Sequence, residues 1–209
     1  MKKRIIISVL LLIIICAVGI MSYSPLRNKI EQIFFATKVY NLLNSEEYMN
    51  LHQVITKDSV NSRTIMWQSL NDREDFILEY KQENEDEILQ AKPQKSVLDI
   101  DNKKIYIYAV TLENLKADMV YDYRLGFENN RSDWYKLKTA KENNNKFKAL
   151  IFPDSQSNDY TEWESLAMNA WQNNQDSDFF INMGDLVDNG YDLVQWNGWF
   201  DGVEPMVNN

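Results

Sequence analysis

The chain has 209 residues, with 31 acidic against 22 basic side chains, a formal charge of −9, 44% hydrophobic residues, one His and one Cys. That length makes one ordinary domain, or two small ones behind a leader, and the hydrophobic fraction excludes wholesale disorder. The acidic balance argues against phosphate-backbone binding, so no nucleic-acid partner is expected; the single Cys16 excludes an internal disulfide framework, and the single His52 leaves no His-rich metal site.

In residues 1–24, Lys2, Lys3 and Arg4 precede an unbroken apolar run from Ile5 to Cys16, continued by Ala17, Val18, Gly19, Ile20 and Met21. A basic start before such a run reads as a signal peptide or signal anchor. The expectation is an extracytoplasmic chain, held at the membrane by this helix or secreted after its removal. Cys16 reads as an apolar leader residue, because the bulky Ile15 stands where a lipidated cysteine follows a small one. With the leader's three basic groups set aside, the charge of −9 becomes −12. Residues 25–48 follow as a helical linker, since Ile30, Ile33, Phe34, Thr37 and Leu43 recur at rough helical spacing.

From about His52 the period changes to two. Val54, Thr56 and Asp58 open the series, and short apolar-alternating runs follow at Arg63–Ser69, Phe76–Tyr80, Ser96–Ile100, Ile105–Val110, Met119–Arg124 and Trp134–Leu137, punctuated by Asn, Asp, Ser and Lys. About seven short strands in roughly 90 residues predict an antiparallel sandwich over residues 49–140. Trp67 is its expected core tryptophan, and Leu112, Leu115 and Tyr121 read as the approach to a tyrosine corner. His52, alone on a strand edge without Cys or His partners, is assigned no chemistry. The acidic runs Glu83–Glu87 and Asp99–Asp101 lack the glycine of an EF-hand loop and read as solvated loops.

After a polar linker the pattern changes for residues 141–209. Phe147–Phe152 is a near-continuous apolar run ending in Pro153-Asp154-Ser155-Gln156. Trp163, Leu166, Ala167, Ala170 and Trp171 then lie on one helical face. A second apolar run, Asp178–Met183, ends in Gly184-Asp185, and Leu193, Trp196, Phe200 and Val203 suggest another helix. Strand–helix–strand–helix implies a parallel βαβ arrangement, in which functional groups sit at the carboxyl ends of the strands. Asp154 and Asp185 both fall there, so their carboxylates can converge on a divalent cation. Aspartate after a strand is also a common turn or cap residue, and on the pattern alone both readings stand. Gly184 is read as allowing close backbone approach beside Asp185. Trp196 and Trp199 read as packing residues rather than as a substrate mouth.

The segments Phe152-Pro153-Asp154-Ser155-Gln156 and Asp178–Gly190, with Gly184, Asp185 and Asp188 inside the second, resemble the first two blocks of the calcineurin-like metallophosphoesterases. Gln195–Phe200 and the sandwich strands around Trp67, Leu115 and Tyr121 are similar to purple-acid-phosphatase-like members, which carry a fibronectin-type-III-like sandwich ahead of the catalytic domain. The resemblance implies a mixed fold. An N-terminal membrane or signal helix precedes an antiparallel β-sandwich, and a partial α/β (βαβα) layered metallophosphoesterase domain follows. It implies Asp154 as a ligand of one metal and Asp185 as the bridge between two, with Gln156 where the family has His or Gly. Asp188 stands where purple members carry a ligating Tyr, so a pair of Mn, Fe or Zn ions is implied rather than a purple centre. The implied reaction is two-metal hydrolysis of a small-molecule phosphoester.

The family's third block, Gly-Asn-His followed by Glu or Asp, and its later His ligands do not occur in this sequence. The expectation is therefore an incomplete and inactive portion of a hydrolase, with no catalytic or cofactor-binding residue assigned beyond the metal set Asp154, Asp185 and Gln156. The alternative is an exported β-sandwich binding module without catalysis.

Overall fold

The fold is that of a computed structural model, which describes Pro25, Lys29, Ile30, Ile33 and Thr37 and residues 48–100, 103–143, 146–157 and 160–207. The leader, including Cys16, lies outside these residues, as do Phe34 and Leu43 of the expected linker helix. Of the six described positions of the expected linker, Pro25, Lys29, Ile30, Ile33 and Thr37 are helical and Tyr48 is not, and the Thr37 Oγ1 hydroxyl donates to the Ile33 carbonyl at 2.7 Å. No helix among the described residues is long and apolar enough to cross a membrane.

Among the described residues, β1 (Met49–Val54), β2 (Arg63–Ser69), β3 (Ile77–Gln82), β4 (Leu89–Ala91), β5 (Gln94–Ile100), β6 (Lys103–Leu112), β7 (Val120–Phe127), β8 (Asn130–Arg131) and β9 (Tyr135–Lys138) form two antiparallel sheets. One has the order β1-β2-β6-β5; the other runs β4-β3-β7-β8, with β9 also on β7. The strict alternation of β2, in which Arg63, Ile65, Trp67 and Ser69 are buried and their neighbours are not, is the period of a strand with one face on a core. Ile65, Trp67, Leu78, Tyr108, Tyr123, Leu125 and Leu137 fill the space between the sheets.

The tyrosine corner takes shape where the spacing placed it: the Lys116 N–H donates to the Tyr121 hydroxyl at 2.8 Å, beside the buried Leu115. The Leu115 N–H in turn donates to the Asn61 carbonyl at 2.9 Å, so the loop after β6 is pinned to the start of β2.

Beyond the sandwich, β10 (Ala149–Phe152), α1 (Thr161–Gln172), β11 (Phe179–Asn182) and α2 (Leu193–Val207) follow in the expected order. β10 and β11 pair in parallel with Phe152 opposite Asn182. At the other end of the pair, the Asp178 N–H donates to the Lys148 carbonyl at 2.8 Å, and the Lys148 N–H donates to an Asp178 carboxylate oxygen at 2.9 Å. Phe152, Tyr160, Trp163, Ala167, Trp199, Val203 and Val207 form a second core. Gly202 sits at a close approach of the two helices: a Cβ there would lie 2.5 Å from Trp163 Nε1. That indole N–H donates to the Trp199 carbonyl at 3.0 Å and clamps α1 to α2.

The structure revises several local expectations. β10 and β11 are not buried strands: Leu150, Phe152 and Phe180 face the helices, while Ile151 is 63% exposed and Ile181 42%. Side chains alternate along a strand, and only one face of this pair has helices on it. Leu166 is exposed at 57%, one position away from the stripe that α1 buries. Trp199 is buried against Trp163, the packing role expected of it. The pairing of β1 begins at Met49 rather than His52, with an irregularity between the two where Asn50 adopts φ 54°.

Candidate functional site

The two aspartates stand on loops that leave the same end of the parallel pair. The strands stay in register as far as the bond from the Met183 N–H to the Phe152 carbonyl, at 2.8 Å, and both chains then turn. Gly184 has φ +124°, a value that L side chains rarely adopt, and Asp185 follows at φ +48°, in the left-handed region that aspartate tolerates. A Cβ at Gly184 would meet nothing within 4 Å, so backbone conformation and not close approach requires glycine here. The turn brings the Asp185 carbonyl back to accept the Ser155 N–H at 3.1 Å, which joins the two loops directly.

Ser155 is the peg of this junction. Its Oγ accepts from Asn182 Nδ2 at 2.8 Å and from Trp199 Nε1 at 3.0 Å, and donates to the Leu186 carbonyl at 3.5 Å. Asn182 uses its other side-chain atom to accept the Gly184 N–H at 3.2 Å. The buried Tyr160 donates its hydroxyl to the Leu186 carbonyl at 3.2 Å, and burial pushes its pKa above the usual phenol value. Further along, Asn189 accepts the Tyr191 N–H at 3.0 Å, Trp196 Nε1 donates to the Gly190 carbonyl at 3.0 Å, and Asp192 caps α2 by accepting the Val194 N–H at 2.9 Å.

Ser155→Ala therefore removes the acceptor that two buried or half-buried donors share. The expected cost is about 1–3 kcal/mol, confined to the second core. Hydrogen exchange should quicken in β10 and β11 and stay unchanged in the sandwich. Unchanged protection of β10 would contradict the role given to Ser155.

Of the residues expected to ligate metal, Asp154, Gln156 and Asp185 are all exposed and lie on these joined loops. Asp154 already uses its Oδ1 to accept the Gln156 N–H at 3.1 Å, the turn role that the pattern left open. Asp188, exposed on the second loop, is the other carboxylate of that segment. No group of three or more His, Cys, Asp or Glu among the described residues is arranged to hold a metal ion. The sole histidine, His52, is on β1: its Nδ1 lies 2.7 Å from the Asn50 carbonyl and its ring packs on Phe200 at 5.1 Å. Burial lowers its pKa and the hydrogen bond to Asn50 opposes the shift. Two carboxylates and an amide do not fit a two-metal centre, which needs more donors around each ion.

The sandwich, with its core tryptophan and tyrosine corner, is the part of the chain that a family model matches. Residues 48–139 match the family described as Purple acid Phosphatase, N-terminal domain. The purple acid phosphatase N-terminal match begins just before β1 and ends just after β9, so it coincides with the two antiparallel sheets and stops short of β10. No curated protein matches the chain. Among solved structures, PhoD is similar over 68% of this chain at 14% identity and a TM-score of 0.46, and the chain spans 28% of PhoD's length. A redesigned β-sandwich protein is similar over 47% of this chain and 98% of its own, at 14% identity and a TM-score of 0.33. The fibronectin type III domain of the human collagen alpha-1(XX) chain is similar over 46% of this chain and 85% of its own, at 14% identity and a TM-score of 0.31.

The residues that hold the aspartate loops together, Ser155, Asn182, Tyr160 and Trp199, escape sequence reasoning. Their partners lie 26 to 44 positions away, and no local pattern marks a serine as an acceptor for a distant indole. The strand-end position of Asn182 is the one available signal, since it shares with Asp154 and Asp185 the carboxyl end of the parallel pair.

Proposed function

We propose that the chain is an exported member of the phosphoesterase type whose α/β unit keeps the first two loops of a metallophosphoesterase but does not itself hydrolyse phosphoesters. The leader carries it to the membrane or through it. The single observation behind this reading is where the one histidine goes: His52 packs on Phe200 beside β1, while the described residues of the joined loops offer Asp154, Asp185, Gln156 and the carboxylate of Asp188 but no imidazole. Such a set gives a divalent cation such as Mn²⁺ a weak hold, in the millimolar range of poorly enclosed oxygen sites.

Purified protein titrated with Mn²⁺ should show weak binding that Asp154→Asn and Asp185→Asn each reduce, and no hydrolysis of p-nitrophenyl phosphate above buffer. Turnover that needs Mn²⁺ and disappears in Asp185→Asn would overturn the proposal. The second reading, a sandwich binding module, is favoured by the extent of the family match, which covers the sheets alone. On that reading Mn²⁺ binding is absent altogether.

A further inference from the structure

Where α2 crosses the sandwich, a cleft of about 480 Å³ opens between β1, the ends of β7 and β9, and the helix. Four aromatic rings line it: Tyr48, Phe127 and Tyr135 from the sandwich side, and Phe200 from α2. Asp201 and Glu204, three positions apart and hence on one helix face, line it from α2 and are exposed. Among the described residues, none that lines it is a lysine, arginine or histidine. We propose that this cleft binds a small organic cation carrying an alkylammonium group.

The chemistry follows from the lining. Aromatic rings present the negative face of their quadrupole to a cation, and the attraction grows as water is removed. Two carboxylates beside them add a field of the same sign, and a neutral apolar ligand would profit from the rings alone. The volume lies in the range of small-molecule sites and exceeds what a metal ion needs. The rings are held in place before any ligand arrives. Phe127 packs edge-on to Tyr48 at 5.8 Å, Tyr135 lies 5.7 Å from Tyr123, and Phe200 is braced by Trp199 and His52, each at 5.1 Å. The cleft belongs to the junction of the two units and does not include the aspartate loops, so the inference is independent of metal binding.

Choline and dimethylbutanol, its uncharged isostere, separate charge from shape. In NMR titrations of the intact protein, choline should shift the aromatic resonances of Tyr48, Tyr135 and Phe200 and bind at least about tenfold more tightly than dimethylbutanol, the margin of a partly desolvated cation–π contact. The double variant Asp201→Asn with Glu204→Gln changes two exposed groups and should reduce that preference, leaving the part the rings supply. Phe200→Leu, whose integrity is checked by far-UV circular dichroism, should weaken both ligands. Equal affinity for the two ligands, shifts confined to other residues, no binding of choline, or a preference that the double variant leaves undiminished would each overturn the proposal.

Discussion

Replacing Trp67 by alanine is expected to destabilise the sandwich by about 4 kcal/mol, the cost of emptying a large aromatic site in a close-packed core. The indole is 0% exposed, stacks on Tyr108 at 5.6 Å with 11° between the planes, and meets Phe76 edge-on at 5.7 Å. Trp67 and Tyr108 are direct cross-strand partners of β2 and β6, so the stack runs along the middle of one sheet. Phe76 carries the contact on to Phe127 at 5.8 Å and thus to the opposite sheet. Tyr108 is itself anchored, since its hydroxyl accepts the Arg73 N–H at 2.9 Å and donates to the Arg73 carbonyl at 3.0 Å. Collapse around the vacated site would have to break this anchor, and relaxation is correspondingly small. Trp67→Phe should cost much less, about 1–2 kcal/mol: it keeps an aromatic ring and removes an indole N–H with no hydrogen-bond partner among the described residues. Urea unfolding followed by far-UV circular dichroism measures both. Equal midpoints for Trp67→Ala and the parent chain would remove Trp67 from the centre of the core.

The second large effect concerns Glu79, a carboxylate that is 5% exposed on β3. Its neighbours across the sheet are Gln90 on β4 and Arg124 on β7. Arg124 Nε donates to one carboxylate oxygen at 2.8 Å; Arg131 Nε, at 3.0 Å, and Gln90 Nε2, at 3.1 Å, donate to the other. Arg124 also lies over the Trp134 ring, 4.2 Å from its centroid. Burial pushes the Glu79 pKa up, but the Arg124 hydrogen bond and the charges of both arginines outweigh it and hold the carboxyl below the usual glutamate range. Glu79→Ala leaves two guanidinium groups without their partner. Because both are partly exposed, at 23% and 34%, solvent recovers part of the loss, and the expected cost is about 3 kcal/mol, the low end for a broken buried pair.

The sign of the pH dependence follows. A carboxyl whose pKa is lowered on folding contributes stability above its unfolded value and loses it as pH falls through the folded value. The parent sandwich should therefore lose stability on acidification below about pH 4.5, and Glu79→Gln should flatten that part of the profile. Asp75 acts in the same direction lower down. The hydrogen bond from Arg73 is the main cause that brings its pKa to about 2; burial opposes the shift, and the Glu128 N–H bond assists it. An unaltered acid limb in Glu79→Gln would show that the cross-strand cluster does not set it.

The sandwich is legible in the sequence because its strands alternate cleanly, and that period is imposed by burying one face. The places of Trp67, Leu115 and Tyr121 follow from that period and from their spacing in the chain. Those of β4 and β8 do not: they have three and two residues, largely exposed, and exist because β3 and β7 offer them free edges. The same limit applies to the second unit. Its apolar runs announce two strands but not which face of each lies open, because the helices that cover Phe152 and Phe180 are separate elements in the chain.

The sequence by itself determined the acidic charge, the order of strands and helices, the placing of Asp154 and Asp185 at strand ends and the scarcity of histidine. Each is a property of composition or local period. Tertiary structure alone decided that Ser155 ties the two aspartate loops, that His52 goes to Phe200, and that four rings and two carboxylates meet in one cleft. These depend on contacts between residues far apart in the chain, and such contacts form only when α1 and α2 pack and the sandwich meets α2.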